Sequence, residues 1–374
     1  MRIGILTLPL HTNYGGILQA YALQTVLERM GHEVVVLDIK NEMHLPWWRS
    51  FMSFAKRLGM RTMGKNVYLS WRRECIARDK VKGKYVNVFI HRYVKRKKYE
   101  KYIDISPDDF DAIVVGSDQV WRRKYLPENM VEIPFLSFTE GWNIKRVAYA
   151  ASFGTDIWEY SEEDTKIAQQ AIGNFDAVST RELGGVALCK EHLEYSKAVQ
   201  VLDPTLLLDR KDYESIIDEC DVTKKIEGNL MLYVLDYTDE KRKYIEECST
   251  ILNMQPFDTN SKYEVKGASL DDIVQPPVEQ WLRSFRDSSF VITDSFHACV
   301  FSIIFHKPFI VIGNEGRGLA RFKSLLSLLG LEDRLVTESG SVELCRKTID
   351  WERTDELLNK YRHDSMSFLR NSLS

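Results

Sequence analysis

No apolar stretch in the chain approaches the roughly 18–20 residues that a membrane-crossing helix needs, so no transmembrane span is read from it. Glycine (20) and proline (10) are too scarce for a collagenous or low-complexity protein. No self-similarity recurs at the period of a solenoid or propeller. Cysteine is sparse: Cys75, Cys189, Cys220, Cys248, Cys299 and Cys345 lie far apart and form no Cys-x-x-Cys pair. That spacing excludes a zinc knuckle and a thioredoxin-like motif, leaving reduced, mostly buried thiols as the expectation. The opening residues Met1–Leu6 carry an apolar run too short for a secretory signal and no small-residue cleavage site. A cytoplasmic protein is expected.

What is present is an ordinary globular composition, 44% apolar and 28% charged over 374 residues, enough for two domains. The net charge of −3 hides an asymmetry. Between Arg49 and Lys101, 17 Lys and Arg stand against 3 Asp and Glu, with aromatics interleaved, while the rest of the chain is acidic. Such a block points to an anionic partner such as a membrane surface. No recognised nucleic-acid-binding motif accompanies it, so nucleic acid is not expected.

Short apolar runs alternate with helical periodicity. Arg2–Leu8 reads as a strand, Ile17–Met30 as a helix and Glu33–Ile39 as a second strand, together a βαβ unit. The rhythm breaks in the basic block and resumes at Asp111–Val115. A charged stretch from about Leu207 to Gly228 lacks a strong strand, and a second α/β half starts at Asn229. The stretch Met254–Ala268 reads as a loop. The expected architecture is α/β: a Rossmann-like domain over 1–206 with a basic helical insertion at about 45–105, a second over 207–350, and a C-terminal helix at 351–374. Ligands of open parallel sheets bind beyond the carboxyl ends of the strands, so the loops there deserve the closest reading.

Thr12–Ile17 joins the first strand to the first helix. Gly15 and Gly16 would let backbone approach a ligand, and the helix N-terminus offers free N–H groups to an anion. The pattern is not Gly-x-Gly-x-x-Gly, which leaves Asp38 a poor imitation of a ribose-binding acid. Asp294-Ser295-Phe296-His297 sits where a strand meets a helix, placing a histidine suited to acid–base work at the cleft mouth, with Ser295 or Asp294 able to cap the helix. Arg181 opens a helix, where the helix dipole gives a cation nothing, so an anionic ligand is the better reason for it. Arg317 and Arg321 offer further guanidinium forks. Asp118 is a candidate site carboxylate, and Asp203 before Pro204 reads as structural.

Taken in order, the segments Asn13–Gln24 (NYGGILQAYALQ), Val115–Trp121 (VGSDQVW), Tyr149–Gly154 (YAASFG), Ser179–Glu182 (STRE), Leu202–Leu208 (LDPTLLL) and Thr293–His297 (TDSFH) resemble the polysaccharide pyruvyl transferase family. Ala298 departs from the glycine usual after the histidine. The resemblance implies a glycosyltransferase-B-like fold of two Rossmann-like domains facing across a cleft. It implies transfer of a pyruvyl group from phosphoenolpyruvate to two hydroxyls of a sugar in a bacterial surface-polysaccharide precursor, sometimes lipid-linked, giving a cyclic ketal with no metal or further cofactor. The expected roles are His297 as acid/base with Asp118 and Asp294 beside it, Arg181, Arg321 and Arg317 on the donor, and Ser295 with the Asn13-Tyr14-Gly15-Gly16 loop in substrate binding. A nucleotide-sugar glycosyltransferase and a non-catalytic carbohydrate- or nucleotide-binding module are the competing readings. Turnover and donor preference separate them.

Overall fold

The computed structural model describes residues 1–39, 52, 70–127, 130–220, 226–261, 272–313, 318–337 and 340–374. They build two parallel β-sheets flanked by helices. The first runs β3(Arg96–Tyr99)–β2(Glu33–Ile39)–β1(Arg2–Leu6)–β4(Ala112–Val115)–β5(Lys145–Ala151)–β6(Ala177–Thr180)–β7(Val199–Gln200). The second runs β12(Leu335–Val336)–β11(Phe309–Ile312)–β10(Phe290–Thr293)–β8(Leu230–Tyr233)–β9(Pro256–Asp258). The central strands AIVV, LMLY, FVIT and FIVI are wholly buried, as strands of a sheet covered on both faces must be.

Strand order reverses at β1/β4 in the first sheet and at β8/β10 in the second. A crevice opens beyond the carboxyl ends of the strands at such a reversal. The loops after β1 and β4 carry Asn13–Gly16 and Asp118, and the loop after β10 carries Asp294–His297. Topology alone therefore gathers much of the expected site.

An apolar seam joins the domains. Tyr14, at the start of the helix Tyr14–Arg29, stacks on Trp281 with ring centroids 5.1 Å apart and donates its hydroxyl to the Pro276 carbonyl at 2.7 Å. Tyr233, Phe285 and Phe301 continue the same core. The terminal helix Trp351–Leu373 returns to the first domain. Ser365 Oγ accepts the Leu202 N–H at 3.0 Å, Arg362 Nη2 donates to the Leu208 carbonyl at 3.0 Å, and Phe368 packs on Tyr149.

The basic insertion differs from the helical expectation. Helices occupy Trp71–Lys82 and Lys84–Tyr93, but Arg96–Tyr99 is the parallel edge strand β3, paired with Val36–Ile39. Its charged side chains suit a sheet edge, where lysines discourage pairing with another chain. Part of the block's charge is met internally, by Lys95–Glu28, Arg96–Asp38 and Lys97–Asp109, each at 2.9 Å, and Arg92–Glu219 at 3.0 Å. Residues 40–51 and 53–69 of this segment lie outside the described residues. Two further departures are small. Pro256–Asp258 is a strand where a loop was expected, and Arg210–Asp218 is a helix in the interdomain stretch.

Candidate active site

The site is built from the strand ends of both sheets. After β4 the chain turns through a cis Gly116–Ser117 peptide to Asp118, whose φ of 69° lies in the left-handed region. After β6 come Arg181 and Glu182, and after β7 comes Asp203. All four charged side chains are buried. Arg181 ties them together: Nη1 donates to Asp203 Oδ2 at 2.7 Å, Nη2 to Asp118 Oδ1 at 3.3 Å, and Nε stands 4.0 Å from Glu182 Oε2. Burial alone would lower the Arg181 pKa, but the three carboxylates hold it above its ordinary value. Arg181 Nε and Glu182 Oε2 have no hydrogen-bond partner among the described residues. Glu182 Oε1 is engaged, accepting the Gly154 N–H at 3.1 Å and the Ser152 hydroxyl.

The second domain supplies His297, Phe296 and Arg321. The helix Phe296–Ile304 is apolar on every side and wholly buried, so its first turn is held rigidly. The Phe296 ring lies beneath two guanidiniums, with the Arg181 Cζ 4.5 Å and the Arg321 Cζ 5.4 Å from its centroid. Both are within cation–π range, and the like charges lie close together in a dry site. Burial, then the neighbouring Arg181, pushes the Arg321 pKa down to about 10. The domains touch closely here. Gly318, at φ 86°, leaves no room for a Cβ, which would fall 2.0 Å from the Gly154 carbonyl oxygen.

His297 faces the first domain. Its Nε2 is 3.6 Å from Asp203 Oδ2 and has no hydrogen-bond partner among the described residues. Its other edge rests on Gly15, where a Cβ would fall 2.0 Å from Nδ1. Gly15 therefore lacks a side chain to make room for the imidazole. Gly16 is different, since a Cβ there would meet nothing nearer than 3.6 Å.

The remaining expected residues fall in other settings. Asn13 is exposed and caps the helix, accepting the Gly15 N–H at 3.1 Å. Tyr14 lies in the interdomain core, away from solvent. Asp294 is fully buried. It accepts the backbone N–H of Leu235 at 2.7 Å and of Asp236 at 3.2 Å, and pairs with Lys241 Nζ at 2.8 Å. That leaves it pinning the β8 loop beside the histidine. Ser295 is the N-cap residue, and its N–H donates to Thr293 Oγ1 at 2.9 Å. Arg317 lies outside the described residues. Asp203 and Glu182 are the members that the sequence reading did not select. The visible signal was position, since each follows a strand end in the sheet that carries Asp118. Among the described residues no group of three or more His, Cys, Asp and Glu is arranged to hold a metal ion.

The model of the polysaccharide pyruvyl transferase family matches residues 13–316, a span that takes in Gly15, Asp118, Arg181, Glu182, Asp203 and His297. The chain belongs to that family. No curated protein sequence matches this pyruvyl transferase family member. Among solved structures, the UDP-GlcNAc 2-epimerase of Neisseria meningitidis bound to UDP-GlcNAc is similar at a TM-score of 0.55 and 7% identity, over 100% of this chain and 99% of that one. Arabidopsis thaliana UGT89C1 complexed with UDP-L-rhamnose is similar at 0.51 and 9% identity, over 98% and 97%. The likeness is one of fold: two Rossmann-like domains facing across a cleft, the glycosyltransferase-B arrangement, in which this transferase-family chain places its charged cluster between the domains. Among the described residues no helix is long and apolar enough to cross a membrane.

Proposed function

We propose that the protein transfers the pyruvyl group of phosphoenolpyruvate to two hydroxyls of one sugar in a surface-polysaccharide precursor, forming a cyclic ketal. One observation carries the reading. Two buried guanidiniums from opposite domains, Arg181 and Arg321, converge on the Phe296 ring beside His297. Phosphoenolpyruvate carries a phosphate and a carboxylate, anionic groups that the planar guanidinium of Arg321 matches, while Arg181 frames the site beside it.

The chemistry divides among these groups. A proton adds to the methylene carbon, which becomes the methyl group. One sugar hydroxyl oxygen bonds to the adjacent carbon and gives up its proton. The carbon–oxygen bond to phosphate breaks, phosphate leaves, and a second hydroxyl bonds to the same carbon and loses its proton. Of the two protons released, one balances the new methyl group and the other leaves with phosphate. His297 is the group we assign to these transfers. Arg321 is assigned to the anionic donor. Arg181, with both Nη atoms committed to Asp203 and Asp118, fixes the charge frame and offers Nε. Asp118 and Asn13 lie on the first-domain side, where we place the acceptor sugar.

The experiment is ligand-induced stabilisation followed by turnover. Phosphoenolpyruvate should raise the melting temperature by mass action, and Arg321→Ala should abolish the rise. Phosphate release should then require a sugar with two free hydroxyls close enough to close a ring on one carbon. Stabilisation by nucleotide sugars alone would replace this reading with glycosyl transfer. Binding with no phosphate release from any donor–acceptor pair would make the protein a binding module.

A further inference from the structure

We propose that Asp203 is the positioning residue of His297, and that the acid–base centre is completed only where the two domains meet. The inference rests on the pyruvyl-transfer reading and names a member of its machinery to which the sequence assigned only a structural role. Asp203 is 1% exposed. Its Oδ1 is locked by its own turn, accepting the Thr205 N–H at 3.0 Å and the Thr205 hydroxyl at 2.6 Å. With one oxygen anchored, the carboxylate has no freedom to rotate, and Oδ2 is aimed into the cleft. There Oδ2 accepts Arg181 Nη1 at 2.7 Å and the Ser117 hydroxyl at 3.4 Å, and His297 Nε2 approaches from the other domain at 3.6 Å.

A carboxylate anchored on one oxygen and presented to an imidazole nitrogen selects the tautomer that carries a proton there. It also stabilises the ring when that ring takes up a second proton. Gly15 supplies the opposite wall, so the imidazole is bracketed on both edges by the first domain. Asp203 thus serves two side chains at once, the guanidinium of Arg181 within its own domain and the imidazole of His297 from the other. A carboxylate needed only to cap the turn Pro204–Leu207 would be satisfied by Thr205 through Oδ1 alone. Burying its second oxygen between a guanidinium and the imidazole of the other domain requires a further reason.

Two measurements test this, and they fail independently of each other. The first is turnover with phosphoenolpyruvate and a diol sugar in a double-mutant cycle. Asp203→Asn is expected to lower kcat by up to about 10⁴-fold in the wild-type background, by analogy with a lost orienting carboxylate. It should lower kcat less than about 3-fold in a His297→Gln background, since the partner it serves is then gone. An equal loss in both backgrounds would overturn the proposal and leave Asp203 as a fold residue. The second measurement needs no substrate and no Asp203 variant. Ring ¹⁵N shifts of labelled histidine in the wild-type protein, with His297 assigned by His297→Gln, should show a protected Nε2–H. Shifts averaged between tautomers, with rapid solvent exchange, would overturn the proposal. If no pyruvyl transfer occurs at all while the protected Nε2–H is seen, the functional reading fails and the Asp203–His297 pairing stands.

Discussion

Gly15 and Gly16 make a controlled pair. Both lie in the first turn of the helix Tyr14–Arg29, and neither has a positive φ. On backbone propensity alone, alanine at either position favours the helix by up to about 1 kcal/mol. The tertiary setting separates them. A methyl on Gly16 meets only ordinary contacts, the nearest at 3.6 Å, so Gly16→Ala should keep that gain and raise the melting temperature slightly. A methyl on Gly15 would sit 2.0 Å from His297 Nδ1 and 2.2 Å from Cγ, whereas real Cβ contacts essentially never fall under 3.0 Å. The ring or the helix must then move by about 1 Å. Overpacking of this kind costs about 1–3 kcal/mol, which exceeds the propensity gain, so Gly15→Ala should lower the melting temperature. A 1 Å displacement of a reacting group costs on the order of 10²-fold in rate, so pyruvyl turnover should fall by that factor while Gly16→Ala leaves it near wild type. The assay is thermal melting and phosphate release on both variants side by side. Equal melting temperatures and equal turnover for the two alanines would show that the imidazole does not rest on Gly15, and the account of that glycine would be wrong.

Further outcomes are expected. His297→Ala should lower kcat by about 10²–10⁴-fold, and near-normal turnover would remove it from the mechanism. Lys241→Met should destabilise the protein by about 3–5 kcal/mol, because it strands the buried Asp294 carboxylate, and an unchanged chemical-denaturation midpoint would refute that pairing. Arg321→Met should do the opposite. Burial and Arg181 lower the pKa of Arg321 to about 10, so its charge costs stability throughout neutral pH, a cost that fades as pH rises from about 10 toward its unfolded value. Removing the charge should stabilise the fold by about 1–3 kcal/mol while abolishing stabilisation by phosphoenolpyruvate. A fall in melting temperature would refute that account. The acid side follows from Asp203, held well below the usual carboxylate range because His297 and Arg181 together outweigh burial. The stability it adds is present above the unfolded value near 4 and is lost as pH falls below it, so wild type and Asp203→Asn should converge in melting temperature toward pH 2. For the segment 49–101, binding to anionic vesicles should weaken as salt rises, and absent or salt-independent binding would leave it a solvated surface.

The fold was largely legible because parallel sheets buried on both faces write continuous apolar runs, and β4, β8, β10 and β11 are such runs. The positions of the loops followed, since reversal points lie beyond strand ends. Elements whose reason is tertiary were not legible. The strand Arg96–Tyr99 reads Arg-Lys-Lys-Tyr, and only the exposed sheet edge beside Val36–Ile39 makes it a strand. Pro256–Asp258 is too short to leave a periodic signal. At the site, residue type and local position selected His297, Arg181 and Asp118, which meet within one cluster. They also selected Asp294 and Tyr14, whose partners Lys241 and Pro276 come from distant segments. Gly15 was read as room for a ligand because a sequence cannot show that a histidine 282 positions later fills that room. Asp203 reads as structural, which it is on one oxygen, where it caps its turn. Its other oxygen acquires a role only when the second domain arrives.

The distribution of charge between the domains sets the direction of ligand binding. The first domain contributes Asp118, Glu182 and Asp203 around the buried Arg181, three carboxylates to one guanidinium in that cluster, so that part of its side of the cleft is negative before any ligand enters. The second contributes Arg321 and the imidazole of His297, while its own buried carboxylate, Asp294, is already neutralised by Lys241. An anionic donor is therefore repelled by the first domain's wall and attracted by the second's. On the proposed reading, its phosphate and carboxylate belong on the Arg321 side of Phe296, and a neutral, hydroxyl-rich acceptor belongs against the carboxylates, which accept hydrogen bonds from hydroxyl groups. Bringing the domains together places the acceptor's hydroxyls against the donor's reacting carbon with His297 between them. That geometry requires donor affinity to follow substitutions in the second domain and acceptor affinity to follow those in the first. Arg321→Ala should raise the KM for phosphoenolpyruvate by at least about 10-fold with the acceptor KM unchanged, and Asp118→Asn should do the reverse. Both KM values moving together in each variant would refute the division.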